Sequence, residues 1–379
     1  MKKKLVGLLL CVAMVSTALA GCGNSKSSNE TSDTGTQEEA TEEPTEEEPE
    51  VTEEVLEETN ADQDDTAGTA GLENLSGKNV GVCIYKFDDN FMTLYRTYLD
   101  GVLKDAGAEV SIMDGKNDQT EQANQIDNFI TQGVDVLIIN LVQSSAAEQI
   151  ADKCAAANIP AVFINREPEK TEQERWESEG IKAAYVGADA SQSGTFQGEM
   201  ILETENKGDF NGDGKVSYVM IQGDPENIDA QLRTEYSVKA LTDAGIEVAE
   251  LDKQRGDWDQ TKGQELTANA LTAHGDDVEV VFCNNDAMAL GAAQAIEAAG
   301  RTIGEDIYLV GVDALTDALE KVLSGEMTGT VFNDHIGQAS QAAEVAAMMV
   351  GQEDTDVYYG VDYVKVTKDN AQDILDILK

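Results

Sequence analysis

The residues best spaced for chemistry are the run Asp209-Phe210-Asn211-Gly212-Asp213-Gly214-Lys215-Val216-Ser217. Oxygen-bearing side chains stand at its first, third and fifth positions, and Gly212 at the sixth permits the sharp turn that lets alternate oxygens converge on one hard cation. Lys215, at the seventh, has its backbone carbonyl to offer. At the twelfth, where an EF-hand places a bidentate Glu, stands Met220, within a strand-like pattern. The run is then either a calcium loop whose last ligand arrives from elsewhere or a plain Asp/Asn/Gly turn, the commoner meaning of such composition.

A second group is dispersed: Asp88-Asp89-Asn90-Phe91, Asn140, Asp229 with Arg233, Trp258, Asn285-Asp286, Asp313 and Asn333. Pyranose sugars present hydroxyls that take charged or amide partners, and ring faces that pack on aromatics, so this mixture suits them. Aromatic residues make up 5% of the chain, which sets Trp258, between Asp257 and Asp259, apart. Taken singly, each of these residues is as well accounted for as a surface or cap residue.

The elements that must hold these side chains alternate. From Lys78 onward, short β-branched runs are interleaved with helix-length amphipathic stretches, the pattern of α/β units on a largely parallel sheet. Strands are predicted over residues 80–85, 134–139, 161–164, 183–186, 216–221, 278–282 and 307–312, and helices over 90–105, 119–132, 144–157 and 286–299. Several strands run into Asn or Asp, at Asn140, Asn165, Asn285 and Asp313. Ligands of parallel sheets bind beyond the carboxyl ends of strands, although helix N-capping alone also favours Asn and Asp there. Roughly three hundred residues of this pattern exceed one core's usual size, so two lobes are expected. The chain has no GxxxxGK followed by Ser or Thr, and no GxGxxG after the first strand, which removes the main support for nucleotide binding.

The amino-terminal region addresses the protein. Met1-Lys2-Lys3-Lys4 and the apolar residues 5–20 have the length of an export signal, shorter than the ~20 residues of a membrane span. Leu19-Ala20-Gly21-Cys22 resembles the lipobox of bacterial lipoproteins, which implies removal of residues 1–21 and lipid on Cys22. Stable attachment takes more than one acyl chain. Residues 22–75 are expected to form a disordered acidic tether, too poor in large apolar side chains to build a core. About fifty flexible residues reach ~40 Å, further when like charges repel. The formal charge is −47, from 26 Lys and Arg against 73 Asp and Glu, and no basic cluster offers phosphate contacts, so nucleic acid is not an expected partner. With His274 and His335 the only histidines and no CxxC, a thiolate or imidazole metal cluster is not expected either. Cys83, Cys154 and Cys283 read as buried small hydrophobes.

Six segments taken together, residues 84–92 (IYKFDDNFM), 139–142 (INLV), Asp229-Ala230 with Arg233, 284–288 (NNDAM), 311–315 (GVDAL) and 329–334 (GTVFND), resemble the galactose/glucose-binding proteins of bacterial sugar ABC transporters, over about 78–370. The resemblance implies the type I periplasmic-binding-protein fold: α/β, two doubly wound parallel-sheet lobes joined by three crossovers. The amino-terminal lobe would comprise 76–160 plus 334–355, and the carboxyl-terminal lobe 161–333 plus 356–379. A monosaccharide of the galactose/glucose class would be stacked between Phe91 and Trp258 and hydrogen-bonded by Asp89, Asn140, Asn227, Asp229, Arg233, Asn285, Asp313 and Asn333. Ca2+ would be held by Asp209, Asn211, Asp213, Lys215 and Ser217, with the missing carboxylate supplied by Glu279. Two positions depart from the family. Asn227 stands where a His usually meets the sugar near its C6 hydroxymethyl, with a shorter reach, and Ser217 stands where the loop usually has Gln, which calls for a bridging water.

The expected protein is therefore a monomeric, lipid-anchored solute-binding protein on the extracytoplasmic face of the cell membrane, not an enzyme. Lobe closure on the ligand would be read by an ABC transporter permease or, through the same cleft, by a chemoreceptor or sensor kinase. A glycosidase built on Asp88 and Asp89 is the rival enzyme, but neighbouring residues of an extended segment point apart.

Overall fold

The computed structural model describes residues 71–379; the signal segment 1–21, Cys22 and the tether as far as residue 70 lie outside the described residues. No described helix is long and apolar enough to cross a membrane. The described chain opens with a 3-10 turn at Leu72–Leu75, and Leu75 is fully buried against the first lobe. The tether boundary expected at 75 is corrected accordingly, because Leu72 and Leu75 supply the apolar contact that seats this turn.

The first lobe is built from β1 (Asn79–Ile84), α1 (Asn90–Asp105), β2 (Glu109–Asp114), α2 (Gln119–Gln132), β3 (Val136–Ile139), α3 (Ala147–Ala157), β4 (Ala161–Ile164), α4 (Lys170–Glu179) and β5 (Ala183–Gly187). The chain then crosses to a second lobe of α5 (Ala190–Leu202), β6 (Lys215–Gln222), α6 (Ile228–Asp243), β7 (Glu247–Arg255), α7 (Gln260–His274), β8 (Val280–Cys283), α8 (Asp286–Ala298), β9 (Tyr308–Val310), α9 (Thr316–Ser324) and β10 (Thr330–Phe332). It returns for α10 (His335–Gly351) and β11 (Tyr358–Gly360), and crosses a last time for β12 (Val364–Val366) and α11 (Ala371–Ile377).

The first sheet is parallel and six-stranded, in the order β11-β5-β4-β3-β1-β2, and the second has the order β7-β6-β8-β9. β10 and β12 form an antiparallel pair, tied to the edge of the second sheet by single bridges, Val310 to Gly329 and Asp313 to Phe332. β3, β4 and β8 are continuous apolar runs, and β1 and β6 are buried along all but their ends, because helices cover both faces of the sheet, leaving no solvated side to alternate with. The α/β class, the two lobes and the three crossovers are as expected.

The lobe boundaries are not. Residues 161–187 belong to the first lobe, since β4 pairs with β3 (Leu137 opposite Ala161) and β5 with β4. β11 pairs with β5 and returns residues 358–360 to the same sheet. The crossovers therefore fall between β5 and α5, between β10 and α10, and between β11 and β12. Cys83, Cys154 and Cys283 are buried free thiols, and burial pushes Cys83 and Cys154 up to about 12.

Candidate functional site

The carboxyl ends of the two sheets face one cleft. Tyr85, Asp89, Phe91, Met92, Asn165 and Arg166 line it from the first lobe, Asn227, Asp229, Arg233, Trp258, Asn285 and Asp313 from the second, and Asn333 from the middle crossover. The free space these side chains leave between them is small, about 30 Å³.

Helix capping places several of these side chains. Asp89 precedes α1 in an extended conformation and accepts the Met92 N–H at 2.7 Å, while its other oxygen takes the Tyr85 hydroxyl at 2.6 Å. Asn227 caps α6 through the Asp229 N–H at 2.9 Å, and Asn285 caps α8 through the Met288 N–H at 3.0 Å. Capping and a place in the cleft lining, which the sequence left as alternatives, thus fall on the same residues. A helix N-terminus gathered at a sheet's carboxyl end aims its capping side chain into the crevice.

Other cleft residues sit in left-handed backbone. Asn165, Trp258 and Asp313 have φ of 60°, 65° and 122°. Such conformations cost of order 1–3 kcal/mol each and persist at sites that need a particular side-chain direction. The Trp258 ring lies against the backbone of Gly223, where an added Cβ would come within 2.3 Å of it, so only glycine lets the indole settle there. Asp313 accepts the Asn333 amide at 3.2 Å.

Arg233 is buried and forked, donating Nη1 to the Asn284 carbonyl at 2.8 Å and Nη2 to the Tyr363 hydroxyl at 2.9 Å. Burial works to lower its pKa, yet Tyr363, Asp313 and Asp229 together raise it, and it stays a cation. Burial raises Asp229 to about 6 against the pull of Arg233, and raises Asp313 well above the usual carboxylate range. Among the described residues, three buried cleft atoms have no hydrogen-bond partner: Asp229 Oδ1, Arg233 Nε and Trp258 Nε1. Leaving such groups desolvated and unpaired costs about 1–3 kcal/mol each, so they mark where a polar ligand would be held.

Of the ten expected ligand residues, nine line the cleft and Asn140 does not. Asn140 is fully buried one layer behind, accepting the Tyr85 N–H at 3.2 Å and donating to the Ile164 carbonyl and Asn165 Oδ1, both at 3.1 Å. Its role is to tie β1, β3 and β4 together at the cleft floor. Asp286, beside Asn285, is likewise turned inward, onto the Leu315 N–H and the Thr330 hydroxyl.

Arg166 and Tyr85 were missed. The Arg166 guanidinium lies 3.5 Å from the centre of the Tyr85 ring and donates Nη1 to the Val142 carbonyl at 2.8 Å. An Arg directly after an apolar strand, next to Asn165, was the available signal. Replacing Asp89 with Ala should therefore cost twice: loss of a charge-assisted ligand bond, and about 0.5–2 kcal/mol of stability from the lost cap. Asp89→Asn keeps the cap. It should recover stability in urea unfolding while ligand affinity stays reduced; equal recovery of both would remove Asp89 from the ligand set.

The loop at 209–217 lies away from the cleft, before and into β6. Gly212 has φ of 75°, the left-handed turn its position requires. Asp209 accepts the Gly212 and Gly214 N–H groups, Asn211 that of Asp213, and Asp213 that of Lys215. Glu279, fully buried just before β8, reaches the loop from outside it, accepting the Phe210, Asn211 and Ser217 N–H groups at 2.7, 3.0 and 2.9 Å. Among the described residues no three His, Cys, Asp or Glu side chains converge as a metal centre. The loop's side-chain donors and Glu279 are nonetheless all hard oxygens with lone pairs to spare, which fits calcium in kind.

Two parallel-sheet lobes, three crossovers and a polar cleft with unpaired buried groups define a two-lobed binding protein. Comparison with known proteins agrees. The model of the periplasmic binding protein domain matches residues 80–354. The D-galactose/methyl-galactoside binding periplasmic protein MglB of Haemophilus influenzae is 35% identical over 322 residues, 81% of this chain and 95% of that protein. The ribose import binding protein RbsB of Bacillus subtilis is 29% identical, over 66% of this chain and 75% of that one. Among solved structures, an ABC transporter solute binding protein from Bacillus halodurans with bound myo-inositol superposes with a TM-score of 0.70 at 28% identity, covering 80% of this chain and 98% of that one. The chain belongs to the periplasmic binding protein family, and is a binding protein rather than an enzyme.

Proposed function

We propose that this protein is a lipid-anchored, extracytoplasmic solute-binding protein that captures a monosaccharide of the galactose/glucose class and delivers it to the permease of an ABC transporter. The observation that carries the ligand class is the trio of unpaired buried atoms, one acceptor and two donors, in a cleft that also presents Phe91 and Trp258. Hydroxyls supply both donor and acceptor, and ring faces supply the apolar surface. Similarity to the galactoside-binding relative supports the hexose class. Asn227 and Arg166 bear most on which sugar is taken: Asn227 spends its carbonyl on the Asp229 N–H and has its NH2 left to offer, and Arg166 lies near enough to Asp229 to favour its ionisation. The lipid anchor rests on Cys22, and partition of the full chain into membranes, lost in Cys22→Ala, tests it.

Calcium belongs to the same proposal. Asp209, Asn211, Asp213, the Lys215 carbonyl, Ser217 and Glu279 would hold it, and the ion would supply positive charge that fixes the loop against β8.

Trp258 makes the test direct. The other tryptophan, Trp176, is buried against Phe163 in the first lobe, with ring centres 4.9 Å apart, and gives a constant background. Titrating D-galactose, D-glucose, D-ribose and myo-inositol should change Trp258 emission and raise the melting temperature, most for galactose or glucose. Tighter ribose or myo-inositol would overturn the hexose class, and silence from all four would overturn sugar binding.

Binding should also depend on pH. Asp229 is raised from 3.8 to about 6, so its contribution to the stability of the ligand-free fold is full below 3.8 and is lost as pH rises through about 6. A hydroxyl donating to its carboxylate favours the ionised form, so affinity should move the opposite way and fall as pH drops through about 6. Asp286, raised to about 6 by burial, shares the stability trend but does not line the cleft. Asp313, which burial raises well above the usual carboxylate range, lines the cleft too, so Asp229→Asn should flatten part of the affinity profile and part of the stability profile, measured by titration and thermal melts between pH 4.5 and 8.

A further inference from the structure

We infer that Gln338, which is not in the cleft lining, is a positioning residue for the ligand: from the first lobe it sets which face of the Asn333 amide meets Asp313. This deepens the monosaccharide reading and rests on it only for the affinity arm of its test.

The geometry is a chain of hydrogen bonds across the middle crossover. Gln338 lies in the first turn of α10, 1% exposed. The helix is seated in the first lobe's core by Ala339, Ala342, Ala343 and Ala346. Its Nε2 donates to Asn333 Oδ1 at 2.6 Å, and Asn333 Nδ2 donates to Asp313 Oδ1 at 3.2 Å, in the second lobe. An amide has a donor end and an acceptor end of almost equal shape, so its direction is decided by what it bonds. Because Gln338 offers a donor, the Asn333 carbonyl is held toward α10 and its NH2 toward the cleft and the carboxylate. The second N–H of that group is then left for a ligand hydroxyl. Reversed, Asn333 would set an oxygen against Asp313, itself buried and already costly to ionise. Gln338 also carries a price that packing does not explain: its Oε1 is buried without a partner among the described residues. A leucine or methionine of similar volume would avoid that cost, which points to the donor as what the position requires.

The test compares Gln338→Leu and Gln338→Glu with the wild-type domain. In ligand-free protein, carboxyl NMR should show Asp313 titrating higher in Gln338→Leu, because the Asn333 N–H that favours its ionised form is no longer held in place. Affinity for D-galactose or D-glucose, whichever the wild type binds, should fall about tenfold. The ligand-free melting temperature should change little. Gln338→Glu adds a pH signature: ionised, residue 338 can only accept and turns Asn333 the wrong way; protonated, its O–H donates as the amide did. Its affinity relative to wild type should recover as pH falls. Wild type serves as the reference at each pH because Asp313, Asp89, Asp286 and Arg233 face this network, and Asp334 and His335 share the first turn of α10. An unmoved Asp313 titration in Gln338→Leu, or a Gln338→Glu profile parallel to wild type, would overturn the assignment. If the wild type binds neither sugar, the galactose/glucose reading fails by itself and the Asp313 titration still decides the role of Gln338.

Discussion

Replacing Arg233 with Met is expected to abolish ligand binding and to lower stability by about 3–5 kcal/mol, the usual consequence of removing one member of a buried charge network. The side chain is buried and serves four groups at once. Its Nη1 satisfies the Asn284 carbonyl at the end of β8, and its Nη2 satisfies Tyr363, just past the last crossover. Its charge opposes the protonation of Asp229 and Asp313. Methionine fills much of the volume and does none of this, so both carboxylates should shift further upward and take up protons. The free Nε, one of the two unpaired donors in the cleft, is lost as well. Arg233→Lys separates charge from shape. Lys keeps the cation but cannot span two acceptors with a planar fork, so it should restore part of the stability and little of the affinity. Urea unfolding and Trp258 titration measure the two quantities. Arg233→Met within tenfold of wild-type affinity would show that the guanidinium is structural and leaves the ligand alone.

The second large effect is expected at Glu279. Its carboxylate is fully buried and accepts three backbone N–H groups, two from the loop and one from β6. Glu279→Ala strands the buried Ser217 N–H, at about 1–3 kcal/mol, and leaves the N–H groups of half-buried Phe210 and exposed Asn211 to water, so a loss of a few kcal/mol is expected with or without a metal. Calcium is tested by a separate comparison. An ion bound by the native state alone stabilises by RT ln(1 + [L]/Kd), about 2.7 kcal/mol at a hundredfold excess over Kd. Chelator should therefore lower the wild-type melting temperature and leave Glu279→Gln nearly unaffected, since the amide lacks the anionic oxygen that calcium prefers. A chelator-insensitive wild type beside a strongly destabilised Glu279→Ala would identify a plain turn braced by a buried carboxylate.

Much of this protein is legible without coordinates. The central parallel strands announce themselves as largely apolar runs because helices bury both their faces, and α1 and α2 begin and end where their periodicity predicts. β2 and β7 escaped because they are edge strands, half exposed and polar, with no such run to read. Asn285 could be found because its strand runs into it and a helix follows, which puts the capping side chain at the cleft by local geometry, and Asp89 because it stands in a polar-aromatic group, whereas Asn227 was reached only through the family resemblance.

What the linear chain could not decide depends on contacts between distant segments. Whether residues 161–187 close the first lobe or open the second is a matter of which strand β4 pairs with, and its own residues suit either sheet equally. Asn140 has the type and place of a ligand residue, yet its amide is consumed by Tyr85, Ile164 and Asn165, partners that only the assembled sheet brings within reach. Arg166 looks like an ordinary surface base until the Tyr85 ring and the Val142 carbonyl hold it in the cleft wall. Local propensity acts along the chain and is written in it, whereas the allocation of a polar side chain to ligand or to scaffold is settled by whichever distant groups satisfy it first.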